Sequence, residues 1–184
     1  MIGFGASAQA IAVRAAAFGL RLLAWVRNPD KCTRIATQLG VTLASLDSVL
    51  TQADYISLHL PLTAETHGII NKSRLRLLKP NAVLINTARG ALVDEAALID
   101  ALQAHRIGGA ALDVFDGIDV FAEPGAPPTH PFFELDNLLL TPHCAGSSVE
   151  SSIDSKTRGA RNAAMVLSGE RPLHVVNPEV LNII

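Results

Sequence analysis

Apolar runs of strand length alternate with amphipathic stretches along the chain. The clearest run, Ala82-Val83-Leu84-Ile85, has no interleaved polar position and predicts a strand covered on both faces, as in a parallel sheet. Leu20 to Val26, Val41 to Leu43, Tyr55 to Leu60, Gly108 to Val114 and Leu138 to Leu140 read as further strands. Between them the apolar spacing turns helical. Gln9 to Phe18 ends at Gly19; Asn28 caps a helix that has Pro29 in its first turn and runs toward Gly40. Ser45 caps a short helix to Leu50, Asn71 one to Leu78, and Asp94 one from Glu95 to His105. Asp116 to Pro131 is a loop rich in Pro and Gly, Ser151 to Leu167 is a longer helix ended by Gly169, and the tail has little pattern. Strands alternating with helices predict an α/β fold: a doubly wound parallel sheet with right-handed crossovers. Its first strand is mostly absent, since only Met1 and Ile2 precede Gly3. Residues 1–150 read as one domain, and 151–184 as a C-terminal helix and tail appended to it.

Composition narrows the function classes. The 184 residues suit one domain, and 49% hydrophobic residues support a sizeable core. No apolar run reaches membrane-spanning length, and no basic stretch precedes an apolar one at the N-terminus, so no membrane partner and no signal peptide are expected. A net charge of -2 without a basic block, and 4% aromatics, leave nucleic acid no electrostatic footprint. Cys32 and Cys144 lack a paired spacing and read as free thiols of a reducing, cytoplasmic compartment, Cys144 as a small buried one. His59 reads as a packed core residue, and His67, His105, His130 and His174 as solvated. No cluster has metal-ligand spacing, so no metal is expected.

Candidate chemistry sits where the strands end. Gly3-Phe4-Gly5-Ala6-Ser7-Ala8 is a G-x-G-x-x-A turn ahead of a helix, which suits the approach of a pyrophosphate to backbone and helix N-terminus. An NAD site calls for Asp or Glu at the tip of the next strand, to bond the ribose hydroxyls. That tip is Val26 followed by Arg27, while Asp30 is explained as favourable charge in a helix first turn. Arg27 is either a solvated surface arginine or the partner of a 2′-phosphate, which would favour NADP. Arg89, Asp113 and His143 each follow a candidate strand, and Glu123 lies in the loop between the last two. Parallel strands bring their carboxyl ends to one edge, where ligands of such sheets bind. Hydride transfer to a keto acid needs a cation for the carboxylate, an acid for the new hydroxyl, and a group that holds that acid charged. Arg89, His143 and Glu123 fit these roles, because a neighbouring carboxylate favours a histidine's charged form.

At this point the chain resembles the D-isomer-specific 2-hydroxyacid dehydrogenases over essentially its whole length. The resemblance rests on the glycine turn, on Ser57-Leu58-His59-Leu60-Pro61-Leu62-Thr63, and on Leu78 to Asp94, the most specific stretch. Ala111-Leu112-Asp113-Val114-Phe115 and Leu140-Thr141-Pro142-His143 follow in the family's order, and Val175 to Val180 resembles the family's ending. It implies a Rossmann-type NAD(P)-binding domain. Arg89 matches the substrate-binding arginine, His143 the acid/base histidine, Glu123-Pro124 the Glu-Pro that carries its partner, and Asp113 the aspartate on the nicotinamide amide. Gly3, Gly5, Ala6, Ser7, Ala8, Pro61, Thr66, Thr87 and Gly146 match positions that touch the dinucleotide.

Three departures stand out. Val26 replaces the family's acidic residue; Asp-Val-Phe occurs at both Asp113 and Asp119 in a lengthened loop; the substrate domain and most of the first strand are not in the sequence. The strand context of Gly109 to Leu112 favours Asp113 over Asp119. The expected function is transfer of a hydride between NAD(P)H and a 2-keto or D-2-hydroxy acid, with a homodimer as the full-length parent. The rivals are a truncated, inactive remnant and a dinucleotide-sensing, corepressor-like binding protein of the same fold. Retention of Arg89, Glu123 and His143 argues against the sensor, which needs no acid. With so short a first strand, the chain alone is expected to be marginally stable and without significant reductase activity.

Overall fold

The computed structural model describes residues 1–116 and 129–179. These fall into two units, Met1–His143 and Cys144–Ile184. The first holds five helices, α1 (Ala6–Ala17), α2 (Thr33–Gln38), α3 (Leu46–Gln52), α4 (Lys72–Leu75) and α5 (Glu95–Gln103), among its described residues. They alternate with the strands β1 (Leu22–Ala24), β2 (Val41–Leu43), β3 (Tyr55–Leu58), β4 (Val83–Asn86), β5 (Gly109–Leu112) and β6 (Leu138–Leu140).

All pairings are parallel. β1 pairs with β2, and β3-β4-β5-β6 form a second, four-stranded group. Ile2 joins the two, as a single bridge to Trp25 on one side and Leu58 on the other. The order across the molecule is therefore β2-β1-Ile2-β3-β4-β5-β6, with the first crossing of the chain at the centre, as in a doubly wound sheet. Ile2 is fully buried, and its amide and carbonyl bond Ser57 and His59 at 2.8 Å each. Ile2 thus stands at the central position of the sheet, between β1 and β3.

The core forms on both sides of this line. Leu50, Ile56, Leu58, Leu84, Leu98, Leu102 and Ile107 form the main cluster around β3 to β5. A smaller one packs the alanine face of α1, through Ala8 and Ala12, and Ala36 of α2 against Leu22, Ala24 and Val41. Short residues on α1 let the helix lie close to β1, as a small residue in the last position of such a turn permits.

Ser45, Asn71 and Asp94 each accept a hydrogen bond from the backbone three residues on, as expected of N-caps. Asn28 does not. The chain makes a short 3-10 turn, Pro29–Lys31, before α2, and the Asn28 side chain makes no capping bond. Cys144 is exposed rather than buried, because the chain has left the sheet after β6.

In the second unit α6 spans Val149–Leu167, two residues longer at its start than the expected helix. Ser148 is the cap. Ser148 and Ser151 exchange side-chain-to-backbone bonds in a capping box, the variant of that motif with Ser in place of Glu or Gln.

Candidate active site

The edge at the carboxyl ends of the strands collects the expected site residues of the first unit. After Ile2 the chain turns through Gly3 at φ +93 into α1. A Cβ on Gly3 would sit 2.5 Å from the His59 carbonyl oxygen, so this glycine is required by the fold itself. Gly5 is different. Its φ of -75 suits any residue, and nothing lies within 4 Å of where its Cβ would be. Gly5 is also the N-cap of α1, without a side-chain cap, and no acidic residue occupies the first turn. The amides of Ala6, Ser7 and Ala8 have no intrahelical acceptor at such an end. They form, with the open space over Gly5, a cradle that a pyrophosphate fits.

His59 borders that turn. Its Nδ1 is 3.2 Å from the Ser7 hydroxyl and its Nε2 2.9 Å from that of Ser57, so both ring nitrogens are satisfied. It is half-buried, and links the glycine turn to β3 instead of packing as an apolar core residue. Burial and, secondarily, the nearby Met1 ammonium lower its pKa from 6.5 to about 4. Burial also lowers the Met1 α-amine from 8.0 to about 6. Both groups bind protons more weakly folded than unfolded. Stability is therefore lost as the pH falls, through the 8.0-to-6 window of Met1 and then the 6.5-to-4 window of His59. Urea denaturation across this range is expected to show both segments. His59→Gln, which keeps a polar link to the serines, should flatten only the lower one.

Arg27 lies past β1 and its guanidinium is paired with the Glu65 carboxylate. Both side chains are exposed, at 77% and 68%. Glu65 belongs to the turn after β3. There Thr66 Oγ1 donates to the Pro61 carbonyl at 2.7 Å and accepts from the Thr63 amide at 2.8 Å. Pro61 and Thr66 thus sit in one hydrogen-bonded loop at the cradle's edge of the sheet.

Past β4, the Asn86 side chain organises the loop that carries Thr87 and Arg89. Its carboxamide accepts from the Ala88 amide at 3.1 Å and donates to the Arg89 carbonyl at 2.8 Å. Asn86 is only 1% exposed, so these bonds are shielded from water and fix the exposed Arg89 on a rigid stem. Arg89 Nη1 donates to the Ala88 carbonyl at 2.6 Å. Gly90 follows, with Phe115 and Asp116 backbone against it where a Cβ would go.

Asp113 ends β5. It is 3% exposed, its amide donates to the Asn86 carbonyl at 3.0 Å, and its Oδ1 accepts from Thr141 Oγ1 at 2.6 Å. The Thr141 amide donates to the Leu112 carbonyl, so the ends of β4, β5 and β6 are stitched together through Asn86, Asp113 and Thr141. His143 follows with φ +52, and its amide donates to the Thr141 carbonyl at 3.0 Å. His105, with φ +44, directly follows the C-cap of α5, where left-handed residues are routine. His143 terminates no helix. Its strained backbone is of the kind that functional positions hold.

Glu123 and the alternative aspartate, Asp119, lie outside the described residues. The flanks of that segment meet at Glu95, on the first turn of α5. Glu95 Oε1 accepts from the Asp116 amide at 2.7 Å, and its Oε2 is 3.9 Å from His130 Nε2. His130 is 17% exposed in its side chain and packs on Phe132, so it is not solvated as the sequence suggested. Gly146 belongs to the second unit, where its carbonyl accepts from the Ser151 hydroxyl. Among the described residues no His, Cys, Asp or Glu cluster could hold a metal ion, and no helix is long and apolar enough to cross a membrane.

Sequence reasoning missed Asn86, Glu65, Glu95 and the bridging role of His59. A polar residue at the end of an apolar strand was the available signal for Asn86. The others act across gaps in sequence that no local pattern reports.

A parallel, doubly wound sheet with a glycine turn at its central crossing defines a Rossmann-type nucleotide-binding domain. Residues 1–145 match the NAD binding domain of the D-isomer specific 2-hydroxyacid dehydrogenases, and the chain belongs to that family. It is 41% identical to a glyoxylate reductase of Thermofilum pendens, over all of this chain and 52% of that protein. A D-lactate dehydrogenase from Lactobacillus jensenii, solved with NAD+, superposes with a TM-score of 0.84 at 34% identity, over 95% of this chain and 54% of the other. A family member from Xanthobacter autotrophicus, solved with NADPH and MES, gives 0.74 at 34% identity, over 97% of this chain and 70% of the other. The chain thus spans about half the length of the curated relatives it matches.

Proposed function

We propose that this chain is the dinucleotide-binding half of a D-2-hydroxyacid dehydrogenase that reduces a small 2-keto acid with NAD(P)H. The observation that carries this reading is the open, ordinary-φ position of Gly5 at an uncapped helix N-terminus. Among the described residues nothing forbids a side chain there, and a pyrophosphate does. When bound, the nicotinamide supplies the hydride. Arg89 grips the carboxylate of the keto acid with its planar fork. His143 gives its proton to the oxygen of the reduced carbonyl, Glu123 keeps that histidine charged, and Asp113 orients the nicotinamide amide. Ser7, Pro61, Thr66 and Thr87 line the dinucleotide, and the reaction runs in the cytoplasm in a homodimer. The relatives' own names span glyoxylate and D-lactate, so the substrate stays at the level of a small 2-keto acid.

The test is Gly5→Ala. An N-cap change from Gly to Ala costs at most about 1 kcal/mol. Calorimetric titration with NADH and NADPH is expected to show at least about a tenfold loss of affinity, the equivalent of ~1.4 kcal/mol. Unchanged affinity at unchanged stability would remove the basis of the reading.

The cofactor leans to NADP(H). Arg27 is already paired, but an exposed ion pair is worth only about 0–1 kcal/mol, against roughly 1.5–3 kcal/mol for a charge-assisted contact. A 2′-phosphate therefore displaces Glu65 from Arg27. Net of the displaced ion pair, Arg27→Ala is expected to cut NADPH affinity by about twofold to 150-fold and to spare NADH. Glu65→Gln, which removes the competitor, should raise NADPH affinity by up to about fivefold. Identical NADPH:NADH ratios in all three proteins would make Arg27 a bystander.

A further inference from the structure

The backbone that carries Arg89 is gripped from a second strand end. From Arg89 the chain passes through a 3-10 turn, Gly90–Leu92, to Asp94 and Glu95 at the start of α5. The turn is built into the fold: Ala91, Leu92 and Val93 are buried, and the Leu92 carbonyl accepts from the Ile70 amide at 3.0 Å. Past β5, Phe115 and Asp116 meet this segment at both of its ends. At Gly90 their backbone fills the place of a Cβ, with the Asp116 nitrogen 2.5 Å from where that atom would be. At Glu95 the same Asp116 amide donates to Oε1 at 2.7 Å. One N–H is thus held between Gly90 and a carboxylate further along the same segment.

The carboxylate is sheltered. The Glu95 side chain is only 15% exposed. The His130 ring stands over Phe132, with centroids 4.5 Å apart, and the Phe132 ring lies 6.3 Å from that of Phe115. His130 Nδ1 accepts from the Phe132 amide at 3.3 Å, which leaves Nε2 turned to Glu95 Oε2 at 3.9 Å. A hydrogen bond to a carboxylate, shielded in this way, is short and strong. Glu95 makes no ion pair with Arg89 among the described residues, so whatever it does for Arg89 passes through backbone. That backbone needs a hold. Asn86 fixes the Arg89 carbonyl on one side, but Gly90 on the other has no side chain of its own to anchor it.

From this juxtaposition we propose that Glu95 is a positioning residue for Arg89. By holding the Asp116 amide against Gly90, it sets the angle at which the neighbouring guanidinium meets the carboxylate of a 2-keto acid. The proposal deepens the reading of Arg89 as the grip on that carboxylate, and rests on it. A misplaced grip weakens binding of the keto acid before and during reaction alike, so the effect falls on KM.

The test is kinetic, in the chain completed with the remaining half of the Thermofilum pendens glyoxylate reductase. Glu95→Met keeps the bulk of the side chain and removes the acceptor; where it does not fold, Glu95→Ala takes its place. It is expected to raise KM for glyoxylate by about tenfold, within the ~10²-fold that an ångström of misplacement can cost. Both kcat and NADPH affinity should stay within about threefold of the parent. Glu95→Gln keeps an acceptor for Asp116 and should restore most of the loss. In an Arg89→Ala background Glu95→Met should add no more than about twofold to KM, since two residues acting on one contact are not additive. In the 184-residue chain, amide exchange at Asp116 should quicken by about tenfold in Glu95→Met and far less in Glu95→Gln. With Arg89→Ala itself harmful, any of four results overturns the proposal: KM unchanged in Glu95→Met, equal damage from Glu95→Gln, undiminished damage on top of Arg89→Ala, or unchanged exchange at Asp116. If Arg89→Ala leaves KM unchanged, the reading of Arg89 falls and the proposal with it. A lowered upper pH limit at unchanged KM overturns it in favour of Glu95 acting on the acid.

Discussion

Gly3→Ala is expected to leave the chain largely unfolded near its present melting midpoint, whereas Gly5→Ala, two residues on, leaves the fold intact. At Gly3 two penalties fall on one atom. The backbone is left-handed, at φ +93, where an L residue costs about 1–3 kcal/mol. The added Cβ also meets the His59 backbone, at 2.5 Å from oxygen and 2.9 Å from carbon, and overpacking of this kind costs about another 1–3 kcal/mol. Neither His59 atom can swing aside, because the His59 amide is held by Ile2 and its ring by two serines. The sum, about 2–6 kcal/mol, compares with about 5–15 kcal/mol for a whole domain. It falls on Ile2 and Gly3, whose backbone bonds both halves of the sheet. A thermal melt should show the midpoint lowered by roughly 4–24 °C, at about 2–4 °C per kcal/mol for a chain of this size. An unchanged melt would mean that the turn at Gly3 is not the joint between the halves.

The contrast between these glycines shows what a sequence pattern carries. G-x-G-x-x-A is legible as a motif, and the left-handed turn at Gly3 and the close packing of Ala8 fit it. The alternation of strands and helices was equally legible, because period and apolar runs are local. Strand lengths were not. Leu20 to Val26 shortened to β1, Leu22–Ala24, since a strand extends only as far as its neighbours, and β2 offers three residues. Tyr55 to Leu60 ended at Leu58 for the same reason, its register with β4 closing at Asn86. Helix caps were read correctly where a side chain could reach its own first turn, at Ser45, Asn71 and Asp94.

The strand ends placed Arg89, Asp113 and His143 just past β4, β5 and β6 in advance. What holds them there was not legible. Ser7 meets His59 across 52 residues and Arg27 meets Glu65 across 38. Asn86 lies inside the most specific stretch of sequence, yet its work is done by two buried hydrogen bonds to backbone, which leave no periodic trace. Sequence pattern reports which face a residue belongs to; the partners on that face are set by tertiary packing.

The second large effect concerns the proton. His143→Ala is expected to lower keto-acid turnover by about 10²–10⁴-fold, the usual contribution of a positioned general acid. Dinucleotide affinity should stay within about twofold, since the cradle at Gly5 and the Arg27 contact lie on other strands. The measurement is set in a full-length protein of the family. It is made on the chain completed with the remaining half of the Thermofilum pendens glyoxylate reductase, with glyoxylate and hydroxypyruvate as substrates. In the same protein Arg89→Lys replaces a bidentate fork by a point charge, and should raise KM more than it lowers kcat if Arg89 binds the carboxylate. Glu123→Gln should move the upper pH limit of reduction to lower pH, because the carboxylate that favours the charged acid is gone. The three variants separate the roles: a proton donor alters kcat, a carboxylate clamp KM, and a partner of the acid the pH profile. Turnover of His143→Ala within about tenfold of the parent would place the acid elsewhere. The strained backbone at His143, φ +52, would then have no function to account for it.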